Sequence, residues 1–182
     1  REFTLQGQRV IAKSLDNRIG CAVLIETARR LQTSPHEIYY VFTSQEEVGL
    51  RGARTAAYSL DPDYGIAVDV TDTGDTPEAP RMAVALGKGA AIKVKDSTVI
   101  THPKVKDLLV NTAKTKGIPY QMEVLERGGT DAGPIHLTRS GVPTGAVSIP
   151  SRYIHTPSEM VDLEDVDNCV KLLVAALEGP LA

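Results

Sequence analysis

Residues 37–50 read EIYYVFTSQEEVGL, and this stretch passes from an apolar run to a glycine-containing turn. The aromatic and β-branched residues of the run predict a strand at 38–43. Glu46 and Glu47 stand side by side where that strand would end. Adjacent carboxylates repel each other and resist desolvation, so the pair favours a bound cation, most often a metal. One glutamate can then ligate the ion while its neighbour transfers protons.

Apolar runs and amphipathic segments alternate on both sides of this stretch. The patterns predict strands at 9–14, 38–43, 64–70, 82–86, 90–94, 120–125 and 144–149. They predict helices at 17–32, 50–59, 103–116, 132–139 and 162–177. This order is typical of the α/β class, and we expect three layers, αβα, with a mostly parallel central sheet. In such sheets, functional groups collect where strands end at their carboxyl edge.

Composition argues against several classes of protein. The chain has 182 residues and a net charge of −3, and its basic residues are scattered, which argues against a nucleic-acid partner. Its apolar runs are shorter than the ~20 residues of a membrane span, so we expect no membrane partner. Cys21 and Cys169 lie far apart in apolar helical patterns and are typical of buried free thiols in a reducing cytoplasm.

Four predicted strand ends carry side chains that bind hard cations. In chain order these side chains are Asp16, the pair Glu46 and Glu47, Asp69 and His155. A set of carboxylates with one histidine suits a divalent ion such as zinc, cobalt or manganese. A carboxylate that can bridge suits two ions about 3.5–4 Å apart.

Each of these residues has a simpler explanation when it is considered alone. Asp16 stands where a helix N-cap would stand, and the other aspartate could cap a turn. The glutamates could be solvated, and a lone histidine is often an ordinary hydrogen-bonded residue. Their joint occurrence at successive strand ends favours a common site. His36 and His102 each adjoin a proline at an element boundary, and we interpret both as structural.

Five blocks of sequence, in this order, resemble one family of metallo-aminopeptidases. They are SLDNRIGCAVLIE from residue 14, FTSQEEVGLRGA from 42, AVDVT from 67, GGTDAGPIHLTRSGVPTG from 128 and SIPSRYIHTPSE from 148. The family is that of the glutamyl and tetrahedral aminopeptidases, some of which carry the name endoglucanase M. The match runs over nearly the whole chain. It implies a zinc-peptidase-like catalytic domain that hydrolyses N-terminal residues of peptides.

The resemblance implies a role in metal binding for four residues. Asp16 matches the aspartate that bridges two metal ions. Glu47 and His155 match ligands of one ion, and Asp69 matches a ligand of the other. The implied cofactor is therefore a pair of divalent ions, with zinc or cobalt the expected metals.

The resemblance also implies roles in proton transfer and substrate binding. Glu46 matches the general base that activates the attacking water. Thr130 and Asp131, in the block GGTDAG, resemble a part of the family site that lies near the substrate. A ligand role for Glu47 agrees with the electrostatics, because two unpaired carboxylates so close together would drive one pKa upward.

Two features of the family have no match in this sequence. The family places a further metal-binding histidine in an N-terminal part of the catalytic domain, and it inserts a small PDZ-like domain before the block that opens here. We therefore expect residues 1–182 to form the C-terminal major part of a catalytic domain, with a weakened second metal site. The family forms dodecamers largely through the inserted domain, so the resemblance implies a homo-oligomer for the intact protein rather than for this chain alone.

Two alternatives to an active aminopeptidase stay open, and the residues argue against a third. One is an inactive or single-metal fragment of such an enzyme, and another is a related di-zinc deacylase or carboxypeptidase. A carbohydrate hydrolase would need two carboxylates that flank a sugar cleft without a metal. The strand-end histidine and the bridging type of aspartate argue against that third reading.

Overall fold

The computed structural model describes residues 4–79 and 81–181, which form strands and helices in alternation. The strands are β1 (Thr4–Gln6), β2 (Arg9–Ala12), β3 (Gly65–Thr71), β4 (Ala90–Lys95), β5 (Tyr120–Val124), β6 (Thr144–Arg152) and β7 (Glu159–Asp162). The helices are α1 (Leu15–Arg30), α2 (Arg51–Leu60), α3 (Pro103–Lys116), α4 (Ala132–His136) and α5 (Leu163–Glu178). The prediction of the α/β class is confirmed.

All of these strands belong to one mixed sheet. Six of them follow the order β1-β2-β7-β6-β4-β5, and β3 pairs with β6. The pairs β3 with β6 and β4 with β5 are parallel, whereas the other four pairs are antiparallel. The expectation of a mostly parallel sheet is therefore wrong. The short connections from β1 to β2 and from β6 to β7 force antiparallel pairing, because a parallel pair needs a crossover of about a dozen residues or more.

Helices cover both faces of the sheet and form the two outer layers. On one face α5 packs against both α1 and α3, and the larger core cluster there includes Val147 and Ile149 of β6. On the other face α2 packs with α4, and a smaller cluster joins Ala67 of β3, Ala132 of α4 and Ala146 of β6. Neighbouring residues of one strand enter different clusters because their side chains alternate across the sheet. The predicted three-layer arrangement is thus confirmed.

Helices follow the predicted positions because their end signals are strong. Helix α3 covers Pro103–Lys116, as predicted, with a proline in its first turn and Gly117 in the left-handed conformation at its C-cap. His102 caps α3 by accepting a hydrogen bond from the backbone nitrogen of Lys104, which confirms its structural role. His36 also has a structural contact, 2.8 Å from Nε2 to the carbonyl oxygen of Gly179. Among the described residues, no helix is both long and apolar enough to cross a membrane.

The strand predicted at 38–43 is absent from the structure. Tyr39 and Phe42 are 54% and 53% exposed, and the segment borders an open cleft of about 860 Å³ that α1, α2 and β3 also line. Strand propensity measures how well side chains fit a pleated, half-buried surface. Within the part of the chain that the structure describes, neither this segment nor the outer edge of β3 has a strand beside it. The prediction of a strand at 38–43 is therefore wrong for this structure, in which the segment has no neighbouring strand to pair with among the described residues.

The strand predicted at 82–86 is absent as well. Side chains, rather than a neighbouring strand, form hydrogen bonds with the backbone of this segment. The side chain of Gln121 accepts from the backbone nitrogen of Ala85 and donates to its carbonyl oxygen, both at 2.9 Å. Asp75 accepts from the backbone nitrogen of Leu86 at 2.9 Å. Conversely, β7 was not predicted, since its four residues carry too short a pattern.

The two cysteines are free, as expected, but they differ in burial. Cys169 is buried in α5, whereas Cys21 is exposed on α1. The expectation that both thiols are buried is wrong for Cys21. It points toward the open cleft that α1 borders, a surface that the helical pattern alone predicts to be covered.

Candidate metal and catalytic site

Three side chains that can ligate a metal converge at one place. Nε2 of His155 lies 3.2 Å from Oδ2 of Asp16 and 3.3 Å from Oε2 of Glu47. One ligand atom from each residue lies within 4.8 Å of the other two. The Asp16 side chain is 10% exposed, whereas those of Glu47 and His155 are 58% and 68% exposed. The group thus has a buried floor and an open side from which a ligand can approach.

Asp16 reaches this place because the first turn of α1 is irregular. Asp16 and Asn17 have non-helical backbone angles, and Ser14 occupies the N-cap position, so the interpretation of Asp16 as a cap is wrong. The Asn17 side chain ties the turn to the sheet by donating to the carbonyl oxygen of Val68 in β3 at 2.9 Å, and it accepts from the backbone nitrogen of Gly20 at 3.1 Å. The carboxylate of Asp16 is therefore available to contact His155.

Glu159 holds two of these residues in place, and the sequence did not reveal it. Its Oε2 accepts from the backbone nitrogen of Asp16 at 2.9 Å, and its Oε1 accepts from that of His155 at 3.1 Å. Glu159 is 3% exposed at the start of β7. Both oxygens of one buried carboxylate thus join the first turn of α1 to the loop after β6. A buried acid in the block RYIHTPSE was the available signal, but its burial could not be read from the pattern.

The backbone around the site adopts left-handed conformations at several residues other than glycine. Ser14, Gln45, Leu50, Tyr153 and His155 have φ angles of 59°, 61°, 56°, 61° and 63°. Such conformations cost roughly 1–2 kcal/mol each for ordinary residues and collect at functional sites. Their position beside Asp16, Glu46 and His155 supports a functional interpretation of the cluster.

Glu46 and Glu47 are adjacent in sequence, but their side chains lie in different environments. Burial raises the pKa of Glu46 to about 7, and the charges of Glu47, Asp131 and Asp16 add to the effect. Its carbonyl oxygen accepts from the backbone nitrogen of Leu50 at 2.8 Å, which fixes the turn that follows. A carboxyl group that titrates near neutral pH can both accept and donate a proton.

Asp69 lies in β3 and is only 8% exposed. Burial raises its pKa well above the usual range, and the charge of Glu46 adds to this, while a hydrogen bond from the backbone nitrogen of Val70 opposes it. Burial also raises the pKa of Asp16 to about 6, with the charge of Glu47 next in importance. Asp69 does not belong to the converging group of three, but the charges of Glu46, Asp16 and Asp131 raise its pKa.

Thr130 and Asp131 lie in the turn before α4. Oγ1 of Thr43 donates to Oδ2 of Asp131 at 2.6 Å, whereas Oδ1 is buried and has no hydrogen-bond partner among the described residues. Burial raises the pKa of Asp131, and the bond from Thr43 lowers it. Thr130 is buried, and its hydroxyl lies 3.4 Å from Oδ2 of Asp96. Asp131 thus joins a group of neighbouring acids, here named the acidic site, whose other members are Asp16, Glu46, Glu47 and Asp69. Thr130 lies behind this site.

The donors of this site fit a hard divalent ion. The pKa values of Asp16, Glu46, Asp69 and Asp131 are all raised by burial, and repulsion from neighbouring acids adds to the effect for the first three. A bound cation favours the carboxylates and removes this conflict. Oxygen donors with one imidazole are also the ligand set that zinc and related ions accept.

Comparison with known sequences places these residues in a family. The family described as M42 glutamyl aminopeptidase matches residues 1–172. A relative from Acetivibrio thermocellus, provisionally named as an aminopeptidase, is 59% identical over 176 residues, which are 97% of this chain and 53% of the relative. The lysyl aminopeptidase of Pyrococcus furiosus is 41% identical over 175 residues, 96% of this chain and 50% of that protein. The chain spans about half the length of these curated relatives.

Two solved structures share the fold over nearly all of the chain. Aminopeptidase APDkam598 from the archaeon Desulfurococcus kamchatkensis has a TM-score of 0.96 at 42% identity, covering 100% of this chain and 52% of its own. The TET1 peptidase of Pyrococcus horikoshii, which can assemble into a tetrahedron or a large octahedral shell, has a TM-score of 0.82 at 33% identity, covering 98% and 53%. Sequence and fold therefore agree that this chain belongs to the M42 glutamyl aminopeptidase family.

Proposed function

We propose that the protein is a metal-dependent aminopeptidase that removes N-terminal residues from peptides. The observation that carries this proposal is the convergence of Asp16, Glu47 and His155 in a chain of the M42 family. Because the chain spans about half of its relatives, the proposal concerns the protein whose catalytic domain contains this chain.

The ligand set supports two divalent ions, zinc or cobalt. Asp16, Glu47 and His155 would hold one ion, and Asp69 would hold a second with Asp16 as the shared ligand. When bound, such ions polarise the scissile carbonyl group and make water easier to deprotonate. The raised pKa values of Asp16 and Asp69 support this assignment, because burial and neighbouring acids oppose their ionised forms and a bound cation would favour them.

Glu46 would act as the general base and then as the general acid. It would accept a proton from the attacking water and donate one to the leaving amine. Its half-buried position and a pKa of about 7 support this role. Asp131 would lie near the substrate, and its buried Oδ1 is an acceptor that no described residue uses. Thr130 would hold the same turn.

The cleft beside β3 supports the view that this chain is the C-terminal major part of a larger catalytic domain. The edge of β3 faces a cleft of about 860 Å³, and the unpaired segment 38–43 lies along the same cleft. Backbone groups at such an edge can pair with further strands. We propose that strands outside this chain fill the cleft, and that the further histidine implied by the family comes with them.

Homo-oligomeric assembly is proposed for the whole protein rather than for this chain alone. The TET1 peptidase of Pyrococcus horikoshii, which shares the fold, can form large shells. Strand β5 is an edge of the sheet, and Met122 and Val124 on it are 38% and 45% exposed, which supports a covered surface there in an assembly. The cytoplasmic location indicated by the free thiols stays a prediction.

A comparison of substrates tests the proposed activity. The metal-loaded protein should hydrolyse aminoacyl-p-nitroanilides, and a chelator should abolish this until zinc or cobalt is added back. A related deacylase would instead cleave N-acyl amino acids, and a carboxypeptidase would cleave peptides whose N-terminus is blocked. Activity that survives complete removal of metal would contradict the proposal.

A further inference from the structure

A lysine of the inner strand β4 is completely shielded from solvent. Lys93 of β4 and Glu123 of β5 are register partners, both are 0% exposed, and the ammonium group contacts Oε1 of Glu123. Oδ2 of Asp96 lies 3.6 Å from the same ammonium group, and its side chain is also fully buried. Burying charges costs several kcal/mol per ion unless they are paired with good geometry. We call Lys93, Asp96 and Glu123 the buried ion cluster.

Asp96 uses its two oxygens for different purposes. Oδ1 accepts from the backbone nitrogen of Thr98 at 2.7 Å, from the Thr98 hydroxyl at 2.8 Å and from the backbone nitrogen of Val99 at 2.9 Å. These bonds fold residues 96–98 into a turn, here named the anchor turn. Oδ2 is left to contact Lys93 and the hydroxyl of Thr130. The lysine therefore fixes the oxygen that meets Thr130.

The anchor turn is packed against residues 128–133, here named the glycine loop. The backbone nitrogen of Ser97 donates to the carbonyl oxygen of Gly128 at 3.1 Å, and the Ser97 hydroxyl contacts the same oxygen. A Cβ atom at Gly129 would lie 2.4 Å from Cγ2 of Thr98, and one at Gly133 would lie 2.7 Å from its Oγ1. Only glycine permits this approach at both positions, so turn and loop are held in direct contact.

The glycine loop carries Asp131 into the acidic site. Oδ2 of Asp131 accepts from Thr43, which lies three residues before Glu46. The charge of Asp131 also acts on Glu46 and Asp69. A continuous series of contacts thus runs from Lys93 through the anchor turn and the glycine loop to the neighbourhood of Glu46.

We propose that the buried ion cluster positions the active site by holding the anchor turn, and with it the glycine loop, so that Asp131 stays beside Glu46. Lys93 is a positioning residue in this account, because its ammonium group contacts Glu123 and Asp96 and acts through them. Only the expected effect on turnover rests on the proposed function. Its effect on the glycine loop can be measured without any substrate.

Lys93→Met tests the proposal, with Lys95→Met as the matched control. Both lysines lie in β4, but Lys95 is exposed. In the metal-loaded full-length protein that contains this chain, Lys93→Met should lower kcat for aminoacyl-p-nitroanilides by about 10–100-fold with little change in KM, since a displaced group of this kind costs about that much. Hydrogen exchange of the amides in the glycine loop should become faster. Lys95→Met should match the unaltered protein in both measurements.

A double variant separates positioning from general stability. Lys93→Met with Glu123→Met removes both charges of the pair, and apolar replacement of a buried pair often restores stability. The melting temperature should then recover toward that of the unaltered protein, while loop exchange stays fast and kcat stays low. Recovery of all three would overturn the proposal, because the cluster would then serve stability alone.

Gly133→Ala provides an independent test with the buried ion cluster intact. Its Cβ would meet Thr98, so the glycine loop must move away from the anchor turn. The same loss of kcat and faster loop exchange are expected. If the unaltered protein shows no aminopeptidase activity, the proposed function fails, and loop exchange decides the positioning claim by itself. If amide hydrogen exchange in the glycine loop is unchanged in both Lys93→Met and Gly133→Ala, the positioning claim is overturned.

Discussion

Two adjacent glutamates take different environments in this protein. Glu47 is exposed and lies with Asp16 and His155, whereas Glu46 is half-buried among acids and has a pKa of about 7. Gln45, directly before them, has a φ angle of 61°, so the backbone turns at this point. The sequence predicted the pair and its partners because charged residues at strand ends are visible in a pattern. It could not reveal Glu159, since a buried role for one acid depends on contacts between distant loops.

Replacing Glu46 by Gln should separate metal binding from turnover. The amide keeps the size of the side chain but cannot accept a proton from water, so kcat should fall by about 10²–10⁴-fold. Metal content should stay the same, because Glu46 is not in the converging group of three. Steady-state kinetics and elemental analysis of one sample measure both. Glu126→Gln is the control, since Glu126 is exposed and should leave both unchanged. Equal loss of metal and activity in Glu46→Gln would contradict its role as a base.

Without metal, the protein should become less stable as the pH rises. The folded pKa is about 6 for Asp16 and about 7 for Glu46, both above their usual values, so the folded state binds more protons than the unfolded state in this range. The stability from their protonated forms is present below about pH 4 and is lost as the pH rises through 6 and 7. Melting temperatures between pH 5 and 8, measured with a chelator, should fall by a few degrees.

Zinc should reverse this trend, because a cation favours the ionised carboxylates. The zinc-loaded protein should have a melting temperature that holds or rises over the same pH range. Glu46→Gln removes one titrating group and should reduce the slope in the metal-free protein. A metal-free melting temperature that rises from pH 5 to 8 would contradict the electrostatic description of the site.

Among the elements, the helices with local end signals followed the sequence, whereas the strands predicted at 38–43 and 82–86 did not form. Helix α3 has its bounds as predicted because a proline and a glycine mark its two ends. The segment 38–43 has strong strand character, but strand formation needs a partner that the described residues do not provide. Strand β7 has only four residues, so its pattern was too short to recognise. Its pairing with β2 and β6 nevertheless brings Glu159 to the site.

Glu159→Gln should weaken metal binding without removing a ligand. Each oxygen of Glu159 accepts one backbone N–H, from Asp16 and from His155, and an amide can accept at only one of these places. Residues that support metal ligands in this way typically contribute 10–100-fold to affinity. Competition of zinc with a chromophoric chelator measures the change. Glu164→Gln, an exposed acid nearby in α5, should have no effect. An unchanged affinity in Glu159→Gln would show that the two loops are held by other contacts.

For the molecule as a whole, the three layers were predictable, whereas the direction of the strands was not. Alternation of helices and strands fixes the layers, but the direction of each pair depends on which strands meet in space. Four of the six pairs are antiparallel. The proposal that further strands fill the cleft of about 860 Å³ beside β3 could likewise not be read from the pattern of this chain.

Hydrogen exchange along β3 tests whether further strands complete the sheet. In this chain alone, the amides of β3 that do not bond to β6 should exchange quickly. In a longer protein that contains the rest of the proposed catalytic domain, the same amides should become protected by pairing. The amides that bond to β6 serve as an internal control, because they should be protected in both. Equal exchange at the open edge in the two proteins would count against strand addition in the cleft.

The most direct test of the proposed metal site is the number of ions bound per chain in the unaltered protein and in three variants. The convergence of Asp16, Glu47 and His155 predicts at least one tightly bound divalent ion per chain. Asp16→Asn and His155→Ala should lose that ion together with the aminopeptidase activity, and Glu46→Gln should retain it. Full metal content in Asp16→Asn and His155→Ala, or full activity in a protein without metal, would contradict the account.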